Sequence, residues 1–173
     1  MSLLEESFDA PAPAPAPLPA APPAPIQTFS LRREIGGLPT ELLIQSFDDR
    51  ILIVVTQSGK VGCLTQASLP QVHQLLAPPS SAPSDAQLAA LPPPPASIAL
   101  TPLLGSPPDA ALHDLYVSQI ATLVWWALQL AHAPRRAVVV GLALKNIGDG
   151  VTDEQRTRFG GVMDMVAAWP GPL

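Results

Sequence analysis

The sequence has little of what most catalytic and metal-binding sites are built from. Cysteine occurs once, at Cys63, which excludes an internal disulfide and fits a reducing compartment. The three histidines, His73, His113 and His132, lie too far apart in sequence to form a metal-binding motif. Cys63 has no neighbouring base in sequence, so we predict a structural thiol rather than a nucleophile. We therefore expect no enzyme, no metal and no cofactor.

Positive charge is also scarce. Nine Lys and Arg stand against fourteen Asp and Glu, and the only adjacent arginines are at 32–33 and 135–136. Nucleic-acid binding needs a basic patch or stripe, so we expect no nucleic-acid partner.

Long uninterrupted apolar runs are missing as well. The most apolar segment, 115–131, is broken by two glutamines and a threonine, so we expect no membrane span. The first ten residues, MSLLEESFDA, are acidic and lack the apolar stretch of a secretory signal. We expect a cytoplasmic protein, with the nucleus as a second compartment.

Proline, in contrast, is abundant and clustered. Of 23 prolines, eight lie in residues 1–26 and eleven in residues 70–108. Ordering a residue costs about 1–2 kcal/mol, and Pro and Ala bury little area in return. We therefore predict a disordered Pro/Ala-rich tail at 1–26, a disordered Pro-rich insertion at 70–96 and a C-terminal tail at 170–173. The rest of 27–169 has the size of one domain.

The remaining segments alternate between strand-like and helix-like patterns. The aliphatic runs at 50–57 and 136–145 are typical of strands buried on both faces in the middle of a sheet. Predicted strands cover 28–35, 38–47, 50–57, 61–67, 97–104 and 136–145, and predicted helices cover 109–132 and 153–169. This order predicts a single α+β domain with a six-stranded, mostly antiparallel sheet and two α-helices packed on it, on one face.

The stretch TQSGK, residues 56–60, suggests a phosphate-binding loop. A P-loop needs a first glycine at position 54 and a hydroxyl residue after the lysine. Val54 and Val61 occupy those positions. We instead predict that Ser58-Gly59 is the two-residue turn of a hairpin. Lys60 is then either solvated or in contact with a partner.

The first predicted helix carries an unusual tryptophan. An apolar stripe runs from Leu112 to Leu130. Trp125 points almost opposite to it, together with Ser118 and His132. Either Trp125 is exposed for a partner, or it packs under the long insertion or the tail. We take Trp125, Lys60, Ser118 and His132 as candidate partner-binding residues.

The order of several short motifs resembles the proteasome assembly chaperone 3 family. In PTELLIQSFDDRILIVVTQSGKVGCL, residues 39–64, a Pro-Thr pair precedes a strand, and an aliphatic strand ends in Val-Thr-Gln before a Gly-Lys turn. Further along, Leu-Leu-Gly at 103–105 precedes the long helix, Arg-Ala-Val at 136–138 opens a strand, and the last helix ends at Trp169. The resemblance covers residues 28–69 and 97–169; the tail and the insertion depart from it.

This resemblance implies a non-enzymatic function. A member of the family would pair with a similarly folded proteasome assembly chaperone 4-like protein. The heterodimer would hold an α-type subunit of the core proteasome, the fifth where characterised, and promote α-ring formation. A homodimer in isolation is also expected. The alternative is a longin- or roadblock-like scaffold in trafficking or GTPase regulation, which has a similar element content.

Overall fold

The computed structural model describes residues 26–76, 91–146 and 152–172. These residues form one six-stranded sheet and two helices, which confirms the predicted α+β fold. The strands are β1 (Gln27–Ile35), β2 (Leu38–Ser46), β3 (Arg50–Thr56), β4 (Cys63–Ser68), β5 (Ala99–Leu104) and β6 (Ala137–Ala143), and the helices are α1 (Ala110–Leu130) and α2 (Asp153–Ala167). The predicted tail lies outside the described residues except for Ile26.

The order of strands across the sheet is β1-β2-β3-β6-β4-β5. β3 and β6 run parallel, and the other neighbouring pairs are antiparallel. The prediction that β3 and β4 form a hairpin is therefore wrong, because β6 lies between them. The physical reason is burial: β3 and β6 are aliphatic on both faces, whereas β4 carries Gln66 and Ser68 on one face.

One face of the sheet forms the core. Its central side chains are Ile51, Ile53 and Val55 of β3 and Val138 and Val140 of β6, all fully buried. They belong to one apolar cluster with the buried side chains of both helices. α1 packs on β6 and β4, α2 packs on β1, and the helices contact each other. Both helices therefore lie on the same face, as predicted.

Both helices begin at a side-chain cap. The carboxylate of Asp109 accepts a hydrogen bond from the backbone N–H of Leu112 at 2.9 Å. The hydroxyl of Thr152 accepts one from the N–H of Gln155 at 3.2 Å. Each cap satisfies one of the four N–H groups that the first turn leaves unpaired.

The predicted disorder does not extend to the ends of the Pro-rich insertion. Leu75 and Pro92 are buried, and the amide of Gln119 donates to the Pro92 carbonyl at 2.9 Å. Residues 77–90 lie outside the described residues. At the C-terminus, Gly171 is buried against the end of α1 and is thus packed rather than a tail. Both segments widen the buried surface of α1.

Candidate partner-binding face

Trp125 is not on the surface. Its side chain is 1% exposed, and its indole N–H donates to the backbone carbonyl of Arg136 at 2.9 Å. The interpretation of Trp125 as an exposed partner contact is therefore wrong. The predicted stripe is rotated: Leu130 is 73% exposed, whereas Gln119 and Thr122 are buried. α1 contacts the sheet, α2 and the ends of the insertion, so its buried sector is wider than one stripe.

The other two candidates on this helix do not form a surface with Trp125. Ser118 is half-buried, and its carbonyl accepts a hydrogen bond from the hydroxyl of Thr122 at 2.7 Å. His132 is exposed, lies beyond the helix end and has a φ of 54°. Its N–H donates to the carbonyl of Gln129 at 3.2 Å, so it helps to end the helix.

Replacing Trp125 by phenylalanine tests this correction. The variant loses the hydrogen bond to the Arg136 carbonyl, which then stays unpaired, and leaves a gap in the core. We expect the free energy of unfolding to fall by about 2–4 kcal/mol. Denaturant unfolding measures this loss. Partner affinity of the folded fraction should stay within about twofold, and a large loss of affinity without a loss of stability would contradict the buried position.

Lys60 lies on the side of the sheet opposite the two helices. The hydroxyl of Thr56 accepts hydrogen bonds from the N–H groups of Ser58 and Lys60, at 3.2 and 3.0 Å. The side chain of Gln57 accepts from the N–H of Lys145 and donates to Thr40 Oγ1, at 2.9 and 3.0 Å. These hydrogen bonds hold TQSGK in place as a connection that carries the chain over the end of β6. Among the described residues, Lys60 forms no ion pair.

The connection depends on two close backbone approaches. Gly62 has a φ of 71°, and a Cβ built on it would lie 1.8 Å from the carbonyl oxygen of Leu142. A Cβ on Gly141 of β6 would lie 2.9 Å from the carbonyl oxygen of Val61. Any side chain at either position would push the connection away from β6.

The face of the sheet opposite the helices is apolar along its centre. Cross-strand partners share a face, so the register places Leu52 beside Val139 and Leu43 beside Val54. Leu64 of β4 continues this line opposite Gly141. We call this surface the open face, defined by Leu43, Leu52, Val54, Leu64 and Val139. Val139 is 6% exposed and the other four are half-buried, and none of the five belongs to the cluster that packs under the helices.

A groove crosses the open face at the end near Lys60. Its volume is about 430 Å³, with Leu43 and Val54 among its lining residues. Arg32 and Glu41 lie on one side of the groove, with 3.5 Å between Arg32 Nε and Glu41 Oε1. Lys60 and Val61 line its other side. An apolar floor with charges of both signs at its rim is typical of a protein–protein interface, with its apolar centre and polar rim.

A smaller cavity of about 110 Å³ lies at the same end of the sheet on the helix side. Cys63, His113 and Arg158 are among its lining residues. His113 Nε2 lies 3.0 Å from the hydroxyl of Thr65. Burial lowers the pKa of His113, and the nearby Asp114 charge opposes that shift in part. Near neutral pH the imidazole is therefore neutral.

The lowered pKa of His113 predicts a pH dependence of stability. The unfolded chain takes up the histidine proton near pH 6.5, whereas the folded chain does so only at lower pH. Stability should therefore fall as the pH drops below about 7 and level off once both states are protonated. Unfolding by denaturant between pH 7.5 and about 5 measures the slope, which His113→Gln should reduce. The exposed His132→Gln variant is the control and should keep the wild-type slope.

The described residues offer no metal centre: no group of three or more His, Cys, Asp or Glu side chains converges within them. Within the same residues, neither helix is long and apolar enough to cross a bilayer. Cys63, which we predicted to be a structural thiol buried in a strand, lies at the start of β4 and is only half-buried.

Comparisons with known proteins add a similarity of fold. No protein-family model matches the chain, and no curated protein matches it significantly. In three dimensions the chain is similar to a chain from the crystal structure of a chaperone complex for yeast 20S proteasome assembly, with a TM-score of 0.49 and 15% identity. The match covers 82% of this chain and 99% of that chain. A similarity of this size does not show that the two chains share a partner or an activity.

Proposed function

We propose that this protein is a dedicated chaperone for assembly of the core proteasome and acts as a heterodimer with a chain of similar fold. The observation that carries the proposal is the apolar open face. Continuous aliphatic strands such as β3 and β6 are typical of strands covered on both faces, and here helices cover only one of their faces. A partner is therefore needed to cover the other.

A second sheet fits this face best. Two sheets pack face to face about 10 Å apart, with aliphatic side chains interdigitated. Six strands about 20 Å long and about 4.8 Å apart present a planar area on the order of 500–600 Å². With the relief of the side chains, this approaches the roughly 800 Å² per partner of a standard interface. The whole surface of the sheet on this side, with the open face at its centre, is thus large enough for a stable pair.

A resemblance of the sequence supports one identity for that partner. The motif order at residues 28–69 and 97–169 resembles proteasome assembly chaperone 3, and the resemblance implies a proteasome assembly chaperone 4-like partner. The described fold has the six strands and two helices expected of that family. The pair would hold an α-type proteasome subunit, the fifth by the same resemblance, and promote α-ring formation in the cytoplasm, with the nucleus as a second compartment.

Affinity purification of the tagged chain at native expression level tests the proposal. We expect α-type proteasome subunits together with one small protein of similar fold. Recovery of GTPases or coat proteins instead would favour the longin- or roadblock-like scaffold. Recovery of neither set, with only the chain itself present, would contradict the assembly role and leave a homodimer.

A further inference from the structure

The groove beside Lys60 has an apolar floor that is accessible from outside. Leu43 and Val54 contribute to the floor and are half-buried, and Val61 at its edge is 47% exposed. The volume of about 430 Å³ lies within the range of sites that enclose several apolar groups. Apolar surface gains stability when it is removed from water, so a short apolar segment fits here.

Positive side chains lie on both sides of this floor. On one side, Lys60 is exposed and takes part in no ion pair within the part of the chain that the structure describes. On the other side, Arg32 faces Glu41, but both side chains are more than half exposed. An exposed pair of this kind contributes about 0–1 kcal/mol, so Arg32 can turn to another carboxylate with little loss. The groove therefore favours an apolar segment that also carries carboxylates.

The sequence contains such a segment ahead of its Pro/Ala-rich tract. Residues 2–9, SLLEESFD, contain three large apolar residues and three carboxylates. The apolar residues are Leu3, Leu4 and Phe8, and the acidic residues are Glu5, Glu6 and Asp9. At about 100° per residue, the apolar residues fall on one side of a helix and the acidic residues on the other. Segments with this pattern bind by laying their apolar side in a groove.

The chain between this segment and β1 is long enough to bring the two together. Residues 10–25, rich in Pro and Ala, span about 50 Å when extended at about 3.1 Å per residue. The groove is lined by Ser30 and Arg32, which lie within about 20 Å of Gln27 along β1. A connection of this length holds the segment at an effective concentration on the order of a millimolar. Even weak docking is therefore populated in the intact chain.

We propose that residues 2–9 dock in this groove and cover one end of the open face. The three apolar residues of the segment lie on the floor, and its carboxylates lie near Lys60 and Arg32. A second sheet packed on the open face needs the same surface, so docking and partner binding exclude each other. The segment therefore acts as an internal cover that a partner displaces. Docking is a property of the chain alone, and only the displacement rests on the proposed function.

Methyl NMR spectra of the full chain test this docking. The reporters are the methyl groups of Leu43, Val54 and Val61. The tested protein, which we call the serine variant, carries Leu3→Ser, Leu4→Ser and Phe8→Ser. We expect all three reporters to shift between the wild type and the serine variant, whereas the methyl groups of Leu115, exposed on α1, stay in place. Leu18→Ser removes an apolar residue of the same tail outside the segment and should leave the reporters at their wild-type positions.

A peptide of residues 1–10 added to the serine variant gives the affinity. It should return the reporters to their wild-type positions with a Kd of about 1 mM or below, since the attached segment has an effective concentration of that order. Lys60→Glu in the serine variant should weaken peptide binding about fivefold, because repulsion replaces attraction at the rim. Arg156→Glu makes the same change of charge on the exposed surface of α2, on the other side of the sheet, and should keep the affinity.

Three outcomes would overturn the docking. These are reporters that do not move in the serine variant, no reporter shift with several millimolar peptide, and equal peptide affinity with Lys60→Glu and Arg156→Glu. If the reporters move with protein concentration and not with the serine substitutions, a second copy of the chain occupies the groove instead.

Competition with a partner separates this inference from the proposed function. If the segment is docked in about 50–90% of the molecules, a partner should bind the serine variant about two- to tenfold more tightly than the wild type. If the peptide docks but the partner binds both proteins equally, the docking stands and the partner uses another surface. If purification recovers no partner, the proposed function fails, and the peptide titration on the chain alone still decides the docking.

Discussion

Replacing Leu52 by glutamate is expected to weaken the proposed heterodimer by at least about 100-fold, which corresponds to about 2.7 kcal/mol. Leu52 lies at the centre of the open face, beside Val139, and would be buried under the partner sheet. A carboxylate there would lose its water without gaining a counter-ion. Because Leu52 is half-exposed in the single chain, the fold itself should tolerate the change. Isothermal titration calorimetry with the purified partner measures the loss.

The matched control is the same substitution at Leu115. This leucine is 49% exposed on the outer surface of α1, on the other side of the molecule. Leu115→Glu should retain the wild-type affinity, and both variants should unfold within about 1 kcal/mol of the wild type. If Leu115→Glu lost the partner and Leu52→Glu kept it, the interface would lie on the helix side and the open face would have to be abandoned.

Replacing Gly62 by alanine is expected to cost about 4 kcal/mol or more of folding free energy. Its positive φ costs an L-residue roughly 1–2 kcal/mol, and a Cβ would overlap the Leu142 carbonyl oxygen at 1.8 Å. Relief of that overlap needs a shift of β6 or of the connection, and either shift breaks hydrogen bonds in the middle of the sheet. Chemical denaturation followed by circular dichroism gives the loss.

Gly59 is the control for the conformational part of this cost. It has a similar φ of 67°, but a Cβ built on it meets nothing within 4 Å. Gly59→Ala should therefore lose only about 1–2 kcal/mol. Equal losses in the two variants would show that the close approach at Gly62 contributes nothing.

The elements were predictable because their signals are local. β3 and β6 appear as aliphatic runs, and both α1 and α2 begin at a capping side chain that the sequence displays. The pairing of β3 with β6 was not predictable in this way. The choice between β4 and β6 as neighbour of β3 depends on burial across the whole sheet, whereas short sequence separation favours β4.

The position of Trp125 shows that the buried face of a helix cannot be predicted from the sequence of that helix alone. A helical stripe identifies one buried face, but α1 is covered from several directions. Its buried surface includes Gln119, which is paired with the Pro92 carbonyl, and His113, which lies beside Thr65. A hydropathy scale assigns such polar residues to the surface, because it does not include the hydrogen bonds that allow them to be buried. The open face was missed for the opposite reason, since Leu52, Val54 and Val139 belong to aliphatic runs that were predicted to be buried on both faces.

The central place of β6 has a consequence for the synthesis of the chain. β6 ends at Ala143, so the ribosome has made most of the sequence before the strand that joins both halves of the sheet is available. Until then, β1 to β3 can form a meander, while β4 and β5 have only each other and two unpaired edges. We therefore expect slow folding, set by long-range pairing, and aggregation of nascent chains that stop before residue 137. A protein inferred to assist the assembly of others would itself be exposed to misassembly during its own synthesis.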